Sequence, residues 1–428
     1  MADGFVIAAP RSGSGKTVVT LGLIAALRAL GHRVAPAKTG PDYIDAAILS
    51  RVAGRPAINL DPWAMRPEHL RHLASTADAG LLIVEGVMGL FDGAMDGTGS
   101  TGDLAAILDL PVILVVDAER QAQSIAPLVA GFANWRREVR IAGVIINRVA
   151  TTRHETMLRN ALAATHIPCL GTLPRRDALA LPERHLGLVL PGEVAGFDAV
   201  VSAAAQAVAE YIDLDLLLTL TRPLAPAPAA RSLPPLGQHI AIARDDAFAF
   251  LYPHLLQGWR EQGAELSFFS PLADQSPSAT AGAVYLPGGY PELHGPALAH
   301  AANFKAGLAA ARDRGALLYG ECGGFMVLGE TLTDKAGMTH PMTGLLPIAT
   351  RIDRPRRTLG YRRLRHAGAL PWPATLNGHE FHYSSGGRSA LPPLFAATDA
   401  TGKPLPQMGA VLGRVMGSYA HVIDVAGV

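Results

Sequence analysis

Phe5-Val-Ile-Ala-Ala9-Pro10-Arg11-Ser12-Gly13-Ser14-Gly15-Lys16-Thr17 is an apolar run, a glycine-rich turn and the opening of a helix in immediate succession. The helical pattern covers residues 16–30 and stops at Gly31, the usual residue just past a helix C-terminus. Between a strand and a helix, the backbone N–H groups of such a turn converge on a phosphate, and the helix N-terminus adds partial positive charge. Ser12, Gly13, Ser14 and Gly15 then form the cradle. Lys16 reaches the β- and γ-phosphates of ATP, and the Thr17 hydroxyl can ligate Mg²⁺. The pattern departs from the usual one at Pro10, which stands where the first glycine is expected. An isolated turn of this kind also fits a site with no ligand; its placement between strand and helix favours a nucleotide.

Outward from this loop, short apolar runs alternate with helical patterns. Residues 81–84, 112–116 and 142–146 are continuously apolar, as in strands of a parallel sheet covered on both faces. Segments such as 124–135 are long enough for crossover helices, so residues 1–218 read as a doubly wound α/β domain. Acidic residues follow the strands, in Lys38-Thr-Gly-Pro-Asp42-Tyr-Ile-Asp45 and in Glu85-Gly-Val-Met-Gly-Leu-Phe-Asp92-Gly93. The C-terminal ends of parallel strands are where such sheets bind ligands. Asp42 and Glu85 offer the hard oxygen ligands that Mg²⁺ takes, although an isolated acid after a strand is more often a helix cap. Asn147, ending another strand, either hydrogen-bonds adenine or caps a loop.

The rhythm breaks at residues 219–237, where five prolines read as an extended linker. A second α/β rhythm occupies 238–428, with strands expected at 239–243, 283–286, 316–319 and around 411–416. Here Tyr319-Gly320-Glu321-Cys322-Gly323-Gly324-Phe325 joins a buried strand to an apolar helical stretch. A cysteine between glycines at a strand-to-helix turn is the thiol counterpart of the nucleophile elbow, and a helix N-terminus is expected to lower its pKa. The catalytic base is assigned to His421, in Gly417-Ser-Tyr-Ala-His421, because such partners meet in space rather than in sequence. The N–H groups of Gly289, in Leu286-Pro-Gly-Gly289-Tyr-Pro-Glu292, and of Gly323 form the expected oxyanion hole. Cys169 is expected to be buried and inert.

Composition narrows the class. The 428 residues carry 37 basic and 36 acidic side chains, a balance that gives no general attraction to nucleic acid or anionic lipid. The hydrophobic fraction of 49% suits large folded cores. Two distant cysteines form neither a disulfide framework nor a metal knuckle, which fits a reducing cytoplasm. No signal-peptide pattern opens the chain, and no apolar run reaches the roughly 18 residues of a membrane helix.

Six motifs together resemble the cobyrinic acid / hydrogenobyrinic acid a,c-diamide synthase family of corrinoid biosynthesis. They are Gly40-Pro-Asp-Tyr-Ile-Asp45, Gly54-Arg-Pro-Ala-Ile-Asn-Leu-Asp61-Pro-Trp63, Glu85 to Gly93, Pro287-Gly-Gly-Tyr-Pro-Glu292, Glu321-Cys-Gly-Gly324 and Gly378-His-Glu-Phe-His-Tyr-Ser384. The resemblance covers nearly the whole chain. It implies an N-terminal synthetase domain similar to dethiobiotin synthetase and a C-terminal class I glutamine amidotransferase domain. It further implies that Cys322 and His421 release ammonia from glutamine, and that MgATP phosphorylates a carboxylate of a corrinoid polycarboxylate. Ammonia would then displace phosphate, twice, to amidate the a and c acetate side chains. Lys38, Asp45 and Asp92 match positions linked to the synthetase chemistry. A homodimer is one assembly open to such a chain.

Class I amidotransferases usually carry glutamate two residues after the histidine; Ile423 stands there, followed by Asp424. The resemblance thus implies a Cys-His dyad with modest glutaminase activity when the other site is empty. Because the two chemistries share ammonia, the expectation is that the domains pack around a common passage and that synthetase ligands raise glutaminase turnover. A Ni-sirohydrochlorin a,c-diamide synthase is the nearest alternative. A P-loop partition or regulatory ATPase explains only the first half.

Overall fold

The computed structural model describes residues 2–77, 79–176, 196–386 and 390–427. The chain divides into two compact units, Met1–Trp63 with Pro67–Ala230, and Ala64–Arg66 with Arg231–Val428.

In the first unit the strands are β1 (Asp3–Ala8), β2 (Val34–Thr39), β3 (Ile58–Leu60), β4 (Leu81–Glu85), β5 (Val112–Asp117), β6 (Ile141–Val149) and β7 (Cys169–Pro174). They form a parallel sheet in the order β3-β2-β4-β1-β5-β6-β7. β1, β2, β4 and β5 are almost wholly buried, so their Val, Ile, Leu and Ala side chains leave water on both faces of the sheet. A short β8 (Arg222–Pro223) pairs antiparallel with β1, so the start of the proline-rich stretch is built into this sheet. The crossover helices are α1 (Lys16–Ala29), α2 (Tyr43–Ala53), α3 (Pro67–Ser75), α4 (Thr101–Leu108), α5 (Ile125–Trp135) and α6 (Thr152–Ala163), and α7 (Phe197–Tyr211) and α8 (Leu214–Thr219) lead from β7 to β8. After β1 the chain moves towards β2, whereas after β4 it crosses to β5 on the far side of β1. The C-terminal ends of β4, β1 and β5 therefore flank the reversal point at which an open sheet offers a ligand crevice.

The second unit continues with β9 (His239–Ala243), α9 (Pro253–Glu261), β10 (Glu265–Phe269), β11 (Ala283–Leu286), α10 (Gly295–His300), α11 (Ala302–Asp313), β12 (Leu317–Glu321) and α12 (Gly323–Leu328). Short strands follow: β13 (Thr331–Thr333), β14 (Thr339–Pro341), β15 (Ala349–Arg351), β16 (Thr358–Arg365), β17 (Thr375–His382), β18 (Ser385–Gly386) and β19 (Ala396–Thr398). β20 (Ala410–Leu412), β21 (Val415–Ser418) and β22 (Ala420–Val425) close the chain. The main sheet runs β10-β9-β11-β12-β21-β20, parallel except for the β20–β21 hairpin. The expected strand around 411–416 is thus a hairpin, because the chain reverses at Gly413, whose φ is 61°. Two four-stranded sheets, β14-β13-β15-β18 and β19-β16-β17-β22, complete the unit; the sequence reading did not anticipate them. Among the described residues no helix is long and apolar enough to cross a membrane.

Candidate active sites

The glycine-rich turn follows β1 directly, and Gly13 (φ 79°) and Gly15 (φ 87°) both take left-handed backbone conformations. The loop is braced from behind. Asn147 Nδ2 donates to the Ser14 carbonyl at 3.0 Å, and Arg148 Nη1 donates to the Gly13 carbonyl at 3.0 Å. A Cβ on Gly15 would lie 2.2 Å from Asn147 Nδ2, so this brace needs glycine there. Arg148 is held by Asp117 at 2.8 Å, and the exposed Arg11 pairs with the same carboxylate at 3.2 Å.

Behind the loop lies a buried charge cluster. Lys16 Nζ donates to the Met88 carbonyl at 2.6 Å. Burial, with the nearby Lys38 charge, holds the Lys16 ammonium below its ordinary range. Thr17 Oγ1 donates to Glu85 Oε1 at 2.8 Å. Lys38 Nζ sits 2.7 Å from Asp45 Oδ2 and 3.0 Å from Glu85 Oε1. Burial opposes the Lys38 charge, yet Asp45 and Glu85 outweigh it and raise its pKa. Glu85 Oε2 is buried without a hydrogen-bond partner beside the Thr17 hydroxyl, so these two residues present the hard oxygen donors that Mg²⁺ requires. Asp42 commits Oδ1 to capping α2, accepting from the N–H groups of Ile44 and Asp45 at 2.9 and 3.0 Å. Asn59 explains part of a second motif, since its Nδ2 donates to the Gly40 and Asp42 carbonyls and holds the turn before α2. Asp92 is exposed at the end of its motif and accepts from Gly89 N at 2.8 Å.

In the second unit, Cys322 follows β12 with φ 46° and ψ −108°, a conformation that costs a non-glycine residue of order 1–3 kcal/mol. The surrounding glycines permit this elbow to seat. A Cβ on Gly324 would lie 1.9 Å from the Leu286 carbonyl oxygen, so α12 packs against the end of β11 only with glycine there. The Gly288-Gly289 turn follows β11, the strand paired with β12. A Cβ on Gly288 would lie 2.4 Å from His421 Cε1 and 3.2 Å from Cys322 Cβ, which places the nucleophile, the base and this turn around one point. Gly289 N lies 3.1 Å from the Cβ position of Gly323, so both expected oxyanion donors adjoin the elbow.

His421 sits on β22, opposite His379 of β17. Burial, with the neighbouring His379 and His382, lowers its pKa to about 3, so its imidazole is neutral and able to accept a proton. Burial also pushes the Cys322 thiol up, helped by the Glu292 charge. This corrects the expectation of a lowered thiol pKa: the six-residue α12 offers too little to offset desolvation. Glu292 itself is raised by burial to about 7. Cys169 is half-buried, its thiol also raised by burial.

The sequence reading missed two features of this site. Asp424, fully buried, is bound by Arg66 at 3.2 Å. The carboxylate near the base comes instead from the elbow: Glu321 Oε2 lies 3.8 Å from His421 Nδ1. The second feature is the chain Arg362–Glu380–His382–Ser384 on β16, β17 and the turn that follows, with contacts of 2.7, 2.8 and 2.7 Å. It accounts for Glu380, His382 and Ser384 of the 378–384 motif, which had given no hint of a network.

Comparison with known proteins agrees with both halves. Residues 5–189 match the CobQ/CobB/MinD/ParA nucleotide binding domain, and residues 239–426 match the CobB/CobQ-like glutamine amidotransferase domain. Proteins named hydrogenobyrinate a,c-diamide synthase are similar along their whole length. That of Brucella abortus is 55% identical over 99% of both chains, that of a Sinorhizobium species 53% over 99% of both, and that of Rhodobacter capsulatus 47% over 98% of both. The chain belongs to the hydrogenobyrinate a,c-diamide synthase family, joining a P-loop nucleotide-binding domain to a glutamine amidotransferase domain.

Proposed function

We infer that this chain is a ligase that uses ATP and glutamine to amidate the a and c acetate carboxylates of hydrogenobyrinic or cobyrinic acid in cobalamin biosynthesis. The observation that carries this reading is the convergence of Cys322, His421 and the Gly288-Gly289 turn, in one chain with a braced phosphate loop. Relatives sharing about half of the sequence act, by their names, on hydrogenobyrinate, which favours the metal-free substrate.

In the amidotransferase unit, Cys322 Sγ attacks the side-chain amide carbon of glutamine while its proton passes to His421. The N–H groups of Gly289 and Gly323 hold the resulting oxyanion. His421 returns the proton to the departing nitrogen, which leaves as ammonia. Water then hydrolyses the glutamyl thioester, giving glutamate and the free thiol. Neutral ground-state partners suit this sequence, because both the lowered imidazole and the raised thiol avoid a buried charge until substrate arrives.

In the nucleotide-binding unit, Ser12 to Gly15 cradle the phosphates and Lys16 moves from the Met88 carbonyl to the β- and γ-phosphates. Thr17 and Glu85 are the proposed Mg²⁺ ligands, with Asp42 committed at one oxygen to its helix cap. When bound, Mg²⁺ neutralises charge on the transferring phosphoryl group. A substrate carboxylate oxygen attacks the γ-phosphorus and ADP leaves. Ammonia then attacks the acyl phosphate, releasing phosphate and a proton and forming the amide. Lys38 holds Asp45 and Glu85 in place for this chemistry, with Asp92 at the exposed mouth.

The test supplies purified protein with MgATP, glutamine and each of hydrogenobyrinic acid, cobyrinic acid and Ni-sirohydrochlorin. Diamide formation from the first is expected, and use of the nickel compound alone would refute the assignment. Cys322→Ala is expected to abolish glutamine-dependent amidation and spare amidation by added ammonia. Full glutamine-dependent activity in that variant would remove Cys322 as the nucleophile.

A further inference from the structure

We propose that Glu321, the residue immediately before the nucleophile, is the carboxylate that orients His421 during glutamine hydrolysis. The inference rests on the assignment of Cys322 and His421 to that reaction and names a member that the dyad reading lacks.

The geometry supports a dedicated position. Glu321 Oε2 lies 3.8 Å from His421 Nδ1, longer than a hydrogen bond and close enough to become one when substrate closes the site. The carboxylate is fixed on its other sides. Tyr285 Oη donates to Oε2 at 2.8 Å, Tyr319 Oη donates to Oε1 at 2.9 Å, and the Val422 N–H donates to Oε1 at 3.1 Å. The tyrosines come from β11 and β12, while Val422 adjoins His421 on β22, so the carboxylate ties the elbow strand to the strand bearing the base. Both phenols are pushed well above their ordinary range by burial and by Glu321, and they stay donors. An ionised Glu321 accepts from Nδ1–H and leaves the Nε2 lone pair to take the Cys322 proton. It also stabilises the imidazolium formed in that step.

The consequence is a pH dependence. The groups facing His421 are Glu321 from β12, His379 and His382 from β17, and Cys322 from the elbow. Those facing Glu321 are Tyr285, Tyr319, His421 and the Val422 N–H; Glu292 and Glu380 face Cys322. Burial raises Glu321 to about 7, whereas His421 is already neutral above about 3. The acidic limb of glutaminase kcat/KM then reports ionisation of Glu321 near neutrality. Lowering pH through about 7 protonates the carboxylate and removes the orientation.

The experiment measures the glutaminase pH profile of the full chain, beside ammonia-dependent amidation as a control for folding. Glu321→Gln is expected to lower kcat for glutamine by at least about 100-fold, towards the roughly 10⁴-fold loss that follows when a catalytic imidazole loses its orienting carboxylate. KM and ammonia-dependent amidation should be kept, and the limb near neutrality should disappear. Tyr285→Phe removes one donor to the carboxylate, raises its pKa and moves the limb to higher pH; this variant serves if Glu321→Gln does not fold. Glu292→Gln leaves the limb in place, because Glu292 faces the thiol and not the base. An unchanged kcat and limb in Glu321→Gln, an unmoved limb in Tyr285→Phe, or loss of the limb in Glu292→Gln would each overturn the proposal. Cys322→Ala separates the two levels: glutamine use by that variant sinks the parent assignment, whereas a dead Cys322→Ala beside a fully active Glu321→Gln sinks only the orienting role.

Discussion

Lys38→Met tests the buried charge cluster behind the phosphate loop. Lys38 is 2% exposed, and its ammonium lies 2.7 Å from Asp45 and 3.0 Å from Glu85. At an effective dielectric of about 20, each contact represents roughly 5–6 kcal/mol of attraction, largely offset by the desolvation of the charges. The net value of the cluster is therefore small, but removing Lys38 is costly, because Glu85 is left fully buried beside Asp45 without the ammonium that bridges the two carboxylates. Breaking a buried pair in this way costs about 3–5 kcal/mol. For a unit of this size that lowers Tm by roughly 6–20 °C. The assay is differential scanning calorimetry, with the nucleotide-domain transition identified in the wild type by its rise on adding MgATP. Arg222→Ala is the control: Arg222 and Asp109 meet at 2.7 Å with side chains 42% and 84% exposed, so losing their pair should cost no more than about 1 kcal/mol. A Lys38→Met transition within about 2 °C of the wild type, or no lower than that of Arg222→Ala, would refute the reasoning.

Lys16→Ala should weaken MgATP use by about 2–4 kcal/mol in kcat/KM whether glutamine or ammonia supplies nitrogen, measured by ADP release. Gly288→Ala, whose methyl would fall 2.4 Å from His421 Cε1, should reduce glutamine-dependent turnover about 100-fold and spare the ammonia-dependent reaction. Because burial raises the Cys322 thiol, its alkylation by iodoacetamide without substrate should keep accelerating through about pH 8 to 10; a plateau at neutral pH would contradict a raised thiol. MgATP with the corrinoid should increase the rate of glutamine hydrolysis, and equal rates with and without them would speak for independent chemistries.

The sequence announced the elements best where local rules and burial agree. β1, α1, β4, β5, β9 and β11 were located to within a residue or two, since each is a largely apolar run or an apolar-periodic helix. The 331–398 region escaped because its strands are mostly three to eight residues long with many exposed positions, so no strong period marks them. At the sites, residues carried by a spacing motif were legible: Lys16, Thr17 and Cys322 lie in a row with the glycines that position them. Glu321 shows where that legibility ends. It lies inside the quoted motif, yet a strand sends successive side chains to opposite faces, so adjacency to Cys322 says nothing about reaching His421. What brings it there is the pairing of β12 with β21 and the three-residue step from Ser418 to His421, long-range geometry with no local signature. Asp424 taught the opposite lesson, for a carboxylate near the histidine in sequence is held by Arg66 in space. An acid assigned to a catalytic base by spacing alone therefore needs the strand register before it carries weight. Here the register favours the residue before the nucleophile over the acid three residues after the base.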